Sequence, residues 1–272
     1  MELSGKFWGK KSETKNPILL LHGMGGTGAL WRPIAAHLEE DFSILALDQR
    51  GHGGSQSKEQ RPQDFSAIHY AQDVVETLKK RSFYPCWVVG HSMGVRTACG
   101  LYHLNPQMVQ GMVLIDLGFG EMTSRGLGLG LHTFLQSVPE RFESRNAARE
   151  YLEENCPDSS IGQYLSAVLV SQKEGVAFPF SKEALLATIE TAEDVSIGNW
   201  LRQAGQANLP VWILRGSTSR VWPKEEYEKE KAEFSAFRSI RCEEVEGAGH
   251  GIPFEKRPWF VDRLRDFILT SG

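Results

Sequence analysis

The fold of this chain is constrained most by a regular alternation of short apolar segments with helix-like segments. Apolar runs at residues 17–21, 43–47, 86–89 and 111–117 have the length and composition of strands that are buried on both faces. The stretch after Ser66 instead repeats apolar side chains every three or four residues, as an amphipathic helix does. This strand–helix order predicts an α/β fold, in which a mostly parallel central sheet is flanked by helices.

The alternation stops near residue 118 and returns near residue 208. Between these points the sequence favours helices, with glycine and proline interrupting them, and contains no convincing strand. Strands are expected again at 211–214 and 239–245, before a closing amphipathic helix. We therefore predict a core of residues 1–118 and 208–272, with a helical cap (lid) inserted at 119–207.

Composition removes several classes of function. Of the 272 residues, 41% are hydrophobic and 24% are charged, and the formal net charge is −4. This charge gives no basic field for nucleic acid, and no apolar run approaches the roughly 20 residues needed for stable membrane insertion. The four cysteines are far apart and form no Cys-x-x-Cys pair, which predicts a reduced, cytoplasmic protein without a zinc or disulfide framework. The oligomeric state cannot be inferred from this sequence.

Residues 90–94, Gly-His-Ser-Met-Gly, lie between the third predicted strand and a helical stretch. A sharp strand-to-helix turn exposes its central hydroxyl above the sheet, and the flanking glycines avoid collisions across the turn. The context favours Ser92 as a nucleophile over the alternative, an incidental serine in a glycine-rich turn.

Serine needs a base to act as a nucleophile at neutral pH. Of the eight histidines, His250 is best placed, because it follows the last predicted strand in the loop Gly-Ala-Gly-His-Gly (247–251). The small neighbours let its imidazole project freely, so we predict His250 as the general base. His91, inside the strand-to-helix turn at residues 90–94 (the nucleophile elbow), is expected to pack beneath the sheet surface.

Taken together, these motifs resemble those of the α/β-hydrolase fold family, particularly its small serine esterases. The resemblance rests on residues 22–26 (His-Gly-Met-Gly-Gly), 48–55 (Asp-Gln-Arg-Gly-His-Gly-Gly-Ser), 90–94 and 247–250, which span most of the core. It implies hydrolysis of a small-molecule ester through an acyl-enzyme intermediate, with no metal and no organic cofactor. Because little chain precedes residue 17, we expect one or two early antiparallel strands of the family to be short or absent.

In this family the serine and the histidine work with an acidic residue, which completes a catalytic triad. The position of this acid departs here from the commonest family pattern. Many members carry it in a Gly-x-x-Asp context after the strand that follows the insert, where this chain has Ser219. Others carry it at the end of the strand after the nucleophile helix, the place of Asp116. Adjacent strands lie about 4.8 Å apart, so Asp116 can approach His250. We predict Asp116 as the acid; the alternatives are a carboxylate that only caps a turn, another acid, or an uncharged triad.

The resemblance also implies an oxyanion hole formed by the backbone N–H groups of Met24 and Met93. Met93 follows the nucleophile, and Met24 lies in the glycine-rich loop after the first core strand. The substrate pocket is predicted to include His22, Gly23, Trp31 and Leu131. For Trp31 and Leu131, packing inside the protein is the alternative interpretation.

Two other functions account for parts of the sequence. Residues 23–28, Gly-Met-Gly-Gly-Thr-Gly, with Asp48 twenty residues later, have the spacing of a dinucleotide-binding unit, which would indicate an NAD-dependent oxidoreductase. A non-catalytic or slow small-molecule receptor on the same fold is the other alternative. The oxidoreductase alternative does not explain the motifs around Ser92 and His250. The receptor alternative does not explain why a protein without catalysis would keep both residues. A serine hydrolase of carboxylic esters is therefore the predicted function.

Overall fold

The alternating apolar segments form a seven-stranded sheet in the computed structural model of the chain, which describes residues 1–10, 16–56, 61–120, 128–157, 159–191 and 197–271. In chain order, the strands are β1 (Gly5–Trp8), β2 (Pro17–Leu21), β3 (Ser43–Leu47), β4 (Cys86–His91), β5 (Val109–Ile115), β6 (Arg141–Phe142), β7 (Val170–Ser171), β8 (Val176–Ala177), β9 (Val211–Gly216) and β10 (Ile240–Val245). The α-helices are α1 (Arg32–Ala35), α2 (Ala67–Arg81), α3 (Met93–Leu104), α4 (Gly128–Ser137), α5 (Arg145–Asn155), α6 (Ser159–Val168), α7 (Lys182–Glu190), α8 (Ile197–Gln206), α9 (Lys224–Phe234), α10 (Ile252–Glu255) and α11 (Arg257–Ser271). Short 3-10 helices occur at Gly28–Trp31, Gly53–Ser55, Pro62–Phe65 and Pro106–Met108.

The central sheet has the strand order β1-β3-β2-β4-β5-β9-β10. Only its edge strand β1 is antiparallel; every other neighbouring pair is parallel. This confirms the predicted mostly parallel α/β fold. The early antiparallel strand is present but is only four residues long.

The register of the sheet brings distant loops to one edge. Gly90 at the end of β4 is paired with Leu21 on β2 and with Leu114 on β5, and Ile115 is paired with Leu214 on β9. Because parallel strands share one direction, the loops that follow β2, β4, β5, β9 and β10 all leave the same side of the sheet.

The parallel strands of the central sheet contribute to two hydrophobic cores, since successive side chains point to opposite faces. Leu19 and Leu21 pack with residues of α2, α3, α8 and α9 on one face. Ile18 and Leu20 pack with residues of α1 and α11 on the other. Each of these side chains is fully buried, which stabilises the fold by about 1.5–3 kcal/mol per side chain.

Between β5 and β9 the chain leaves the sheet. Helices α4 to α7 build a separate hydrophobic cluster that also contacts Met24 and Leu30 of the core. Helix α8 falls within the predicted cap, yet its residues Ile197, Leu201 and Ala204 pack into the core against α3. In packing terms α8 therefore belongs with the core helices.

The expectation that this insert contains no strand is wrong. Strands β6, β7 and β8 form a three-stranded antiparallel sheet, but each is only two residues long. Two residues are too few to show the alternation by which a strand is recognised in a sequence. Among the described helices, none combines the length and apolar character needed to cross a bilayer.

The close approach of β4 and α3 can be tested by a substitution at Gly90. A Cβ at residue 90 would collide with the Gly94 carbonyl and lie 2.9 Å from the Val95 nitrogen, both of which are backbone atoms. We expect Gly90→Ala to lower the free energy of unfolding in urea by about 1–3 kcal/mol, because backbone cannot move aside as a side chain can.

Gly130→Ala is the matched control. A Cβ there, in α4, would meet its nearest neighbour, Pro157, at an ordinary 3.5 Å. This change should leave stability unaltered or raise it by about 0.5–1 kcal/mol, because alanine favours a helix over glycine. Equal stabilities for the two variants would contradict the close approach at the elbow.

Candidate active site

Ser92 lies at the turn between β4 and α3, with backbone angles φ 53° and ψ −121°. Residues other than glycine rarely adopt positive φ, and such strain is retained where the surroundings enforce it. Here the Ser92 N–H donates to the Ile115 carbonyl (2.9 Å), and the Ser92 carbonyl accepts from the Val95 N–H (2.8 Å). A Cβ at residue 23 would lie 3.0 Å from the Ser92 Cβ, so only glycine lets the neighbouring loop approach this closely.

His250 and Asp116 form a direct pair beside this turn. Asp116 follows β5 and is fully buried, whereas the His250 side chain, in the loop after β10, is 22% exposed. His250 Nδ1 lies 2.7 Å from Asp116 Oδ2. A carboxylate only accepts hydrogen bonds, so Nδ1 carries the hydrogen, and Nε2 of a neutral imidazole has a free electron pair.

Asp116 receives three donors from two segments of the chain, the end of β9 with the turn that follows it and the loop that follows β10. Its Oδ1 accepts the Gly216 N–H at 2.8 Å, and its Oδ2 accepts the Ser219 hydroxyl at 2.5 Å in addition to His250. Burial of a carboxylate is costly unless its oxygens are satisfied in this way. Ser219, at the position where the family resemblance implies aspartate, thus donates its hydroxyl hydrogen to Asp116.

His91 supports the His250 loop from below. Its Nε2–H donates to the His250 carbonyl (2.8 Å), and the two rings lie 4.7 Å apart between centroids. Burial lowers the pKa of His91 to about 3, so the ring stays neutral and acts as a fixed donor.

Two further buried histidines brace the glycine-rich loop after β2. His22 donates to the Gly23 carbonyl (2.7 Å) and accepts from the Gln49 N–H (3.0 Å). His52 accepts from the Gly25 N–H (3.0 Å). Burial lowers the pKa of His22 to about 4 and that of His52 to about 3, which keeps both rings neutral and able to accept.

The braced loop presents the backbone N–H of Met24, while α3 presents that of Met93 at its first turn. Within the part of the chain that the structure describes, neither N–H donates to a protein acceptor. The first N–H groups of a helix also carry partial positive charge. These two groups can therefore stabilise negative charge on a ligand oxygen.

Asp48 has a structural role in the same region. Its Oδ1 accepts the Gly28 N–H (2.8 Å), and its Oδ2 accepts the Gly54 N–H (2.9 Å). Asp48 therefore joins two glycine-rich loops, and both of its oxygens already have backbone donors. A dinucleotide-binding acid would instead face a ribose.

A cavity of about 500 Å³ opens above Ser92, His250, Met24 and Met93. Gly23 also lines it. The insert contributes mostly apolar side chains from α4, α6 and α7, namely Leu131, Leu135, Ile161, Tyr164, Leu165, Leu185 and Ile189. A predominantly apolar cavity of this size suits a small organic ligand.

Two predicted pocket residues, His22 and Trp31, do not line the cavity. Trp31 is fully buried in the core cluster that contains α1 and α11, because the chain turns it toward the sheet. The ring of His22 is also buried, and both of its nitrogens are used to hold adjacent backbone. The structure therefore places both side chains away from the cavity wall, where the sequence prediction puts them.

Sequence reasoning missed Glu255. Its carboxylate accepts the N–H groups of Gly249 (2.6 Å) and Gly251 (2.9 Å), on either side of His250, and it also lines the cavity. An acidic residue shortly after a glycine-rich loop is the only signal that the sequence offers for this role.

Across the described residues, no cluster of three or more His, Cys, Asp or Glu could hold a metal ion.

Several known proteins are similar to this chain. Residues 16–257 match the family described as alpha/beta hydrolase fold. The sn-1-specific diacylglycerol lipase ABHD11 of Mus musculus is 25% identical over 258 residues, covering 92% of this chain and 80% of that protein. The 2-(acetamidomethylene)succinate hydrolase of Mesorhizobium japonicum is 31% identical over 207 residues, covering 75% and 71%. A solved marine microorganism esterase has a TM-score of 0.78 at 20% identity, with 98% of this chain and 99% of that chain covered.

The neutral histidines predict a pH dependence of stability. His22, His52 and His91 have folded pKa values of about 4, 3 and 3, below the unfolded value of about 6.5. Between these limits the unfolded chain binds more protons, so stability is retained above pH 6.5 and falls as the pH drops toward 4. At pH 5 the free energy of unfolding should be lower by about 2 kcal/mol for each of these rings than at a pH well above 6.5.

Histidine-ring NMR checks this prediction. In the folded protein, the ring signals of these three residues, assigned with His→Gln variants, should stay constant from pH 7.5 to 5.5. In the urea-unfolded chain they should titrate near 6.5. A folded-state midpoint near 6.5 for any of the three would contradict the neutral framework.

Proposed function

Because this chain is a hydrolase that belongs to the alpha/beta hydrolase fold family, we propose that it cleaves carboxylic esters with Ser92, His250 and Asp116 as its catalytic triad. The observation that carries the proposal is the 2.7 Å contact between His250 Nδ1 and Asp116 Oδ2, in a site where Ser92 and His250 share one cavity. The name of the mouse relative, a lipase, supports ester chemistry.

The reaction begins when the Ser92 hydroxyl attacks the ester carbonyl. His250 Nε2 takes the hydroxyl proton as the new carbon–oxygen bond forms, and Asp116 stabilises the resulting imidazolium. When the tetrahedral intermediate collapses, His250 returns the proton to the leaving alcohol and an acyl-enzyme remains. Water then repeats the sequence, with His250 as base, and releases the carboxylic acid.

The oxyanion of each tetrahedral intermediate is assigned to the N–H groups of Met24 and Met93. Measured losses on removing one such donor in other enzymes are about 3–4 kcal/mol, so the two N–H groups are expected to contribute substantially to stabilising the transition state. The braces at His22 and His52 support this role, because they fix the loop that carries Met24.

Residues 119–207 are proposed to act as the cap, with α4, α6 and α7 forming the roof of the acyl or alcohol pocket. Support comes from the apolar side chains that these helices place on the cavity. The contact between Asp116 and His250 supports an enzyme over the receptor alternative, since the histidine has an acidic partner. No cofactor is part of the proposed reaction.

Hydrolysis of p-nitrophenyl esters from acetate to decanoate tests the nucleophile. Ser92→Ala should lower kcat/KM by at least about 10⁴, because the attacking oxygen is lost. For the wild type, kcat/KM should rise from acetate to hexanoate, since each methylene buried in an apolar cavity contributes about 0.8 kcal/mol.

Ser137→Ala, at the end of α4, is the matched control and should keep wild-type turnover, because its hydroxyl donates to the Phe134 carbonyl and does not line the cavity. Turnover that survives in Ser92→Ala would rule out Ser92 as the nucleophile. Absence of turnover in the wild type would point to a receptor or to another substrate class.

The acid and its serine partner should differ in their effects. Asp116→Asn should lower kcat by about 10⁴, because an amide cannot stabilise the imidazolium. Ser219→Ala should lower kcat only about tenfold, because Asp116 keeps Gly216 and His250 as donors.

Steady-state kinetics with p-nitrophenyl butanoate measures both effects, and Asp262→Asn, on the exposed face of α11, is the control. Circular dichroism spectra must match the wild type. Near-full turnover in a folded Asp116→Asn variant would mean that another group supplies the acid.

A further inference from the structure

Tyr164, on α6, places a polar group in the mostly apolar roof of the cavity, where Gln163 and Thr188 are the other polar residues from α6 and α7. Its hydroxyl is buried and has no hydrogen-bond partner among the residues that the structure describes. Burial raises the pKa of this phenol, so the hydroxyl keeps its proton and is available as a donor at neutral pH.

The hydroxyl lies directly over the glycine-rich loop that carries Met24. A Cβ at residue 26 would be 2.5 Å from the Tyr164 hydroxyl oxygen and 3.1 Å from the Gly23 carbonyl oxygen. Gly23 in turn makes the close approach to the Ser92 Cβ. Tyr164 is therefore next to the proposed oxyanion loop and lines the same cavity as Ser92.

The hydrogen-bonding of the Tyr164 hydroxyl differs from that of other tyrosines in the protein. The equally buried hydroxyl of Tyr70 pairs with Thr188 at 2.7 Å, and that of Tyr151 contacts the Ser137 carbonyl. Tyr227 also lacks a partner, but it packs in the core and not on the cavity. A buried hydroxyl without a partner costs free energy, and at a cavity wall a ligand can supply the missing acceptor.

We propose that the Tyr164 hydroxyl donates a hydrogen bond to a second oxygen of the substrate, an ether, keto or hydroxyl oxygen two to four atoms from the reacting carbonyl carbon. The inference rests on the proposed esterase function and deepens it, because it names the class of ester. Nearby surfaces of Leu30 and Leu165 are apolar, so an oxygen placed here finds its donor in Tyr164. An alkyl ester of the same shape leaves the hydroxyl unpaired, which is the basis for discrimination.

Two pairs of esters of equal shape test the proposal. On the acyl side, p-nitrophenyl methoxyacetate is compared with p-nitrophenyl butanoate; on the alcohol side, 2-methoxyethyl butanoate is compared with butyl butanoate. For each pair, the ratio of the two kcat/KM values is measured in wild type and in Tyr164→Phe, which removes only the hydroxyl. Intrinsic reactivity cancels because the same two esters are compared in both proteins.

In at least one pair, Tyr164→Phe should lower kcat/KM for the oxygen-bearing ester about tenfold while the alkyl ester stays within twofold or improves. The affected pair identifies the side of the substrate that Tyr164 contacts. Tyr151→Phe, which changes the same residue type elsewhere in the insert, should leave both ratios at the wild-type values.

Unchanged ratios in both pairs would overturn the proposal. An equal loss for all four esters would also overturn it, since Tyr164 would then act on the oxyanion or on loop structure. Ser92→Ala, run with the same esters, separates this result from failure of the proposed function. If wild-type turnover vanishes in Ser92→Ala but the ratios do not respond to Tyr164→Phe, only the Tyr164 inference fails.

Discussion

The fully buried carboxylate of Asp116 is the group on which the rest of the site depends. A charge without solvent must be satisfied by fixed donors, and here the donors come from the end of β9, from Ser219 and from His250. The loop at Gly216 and Ser219, His250 and Asp116 itself lie in three distant parts of the sequence, and the carboxylate holds them in one arrangement. In the proposed reaction, the contact between Asp116 and His250 also orients the imidazole toward Ser92. The buried carboxylate therefore serves both the folding of these loops and the positioning of the catalytic base.

Around that charge, the loops are fixed largely by neutral groups. His22, His52 and His91 are buried and have lowered pKa values, and each bonds to backbone of a loop at the site. A neutral imidazole can donate at one nitrogen and accept at the other, which lets a single side chain join two backbone segments. This framework adds no positive charge that would compete with His250 for Asp116.

The two layers of the molecule divide the proposed function. The sheet and its loops hold Ser92, His250 and the two oxyanion N–H groups, and so carry the reaction itself. The helices of the insert supply most of the apolar cavity wall and the hydroxyl of Tyr164, and so carry selectivity. Substitutions in the insert can therefore change which ester is accepted without altering the arrangement that activates the nucleophile.

The sequence by itself determined the α/β fold, since the central strands β2 to β5 and β9 consist mostly of short apolar runs and each motif lies at a strand end. It also indicated Ser92, His250 and Asp116, because these residues follow β4, β10 and β5, whose ends the sheet aligns. It could not exclude His22 from the pocket or find Tyr164, since local pattern does not say which way a loop side chain points. Only the tertiary structure decided these, because strand register and the placement of α6 over the loop bring together residues that share no local signal.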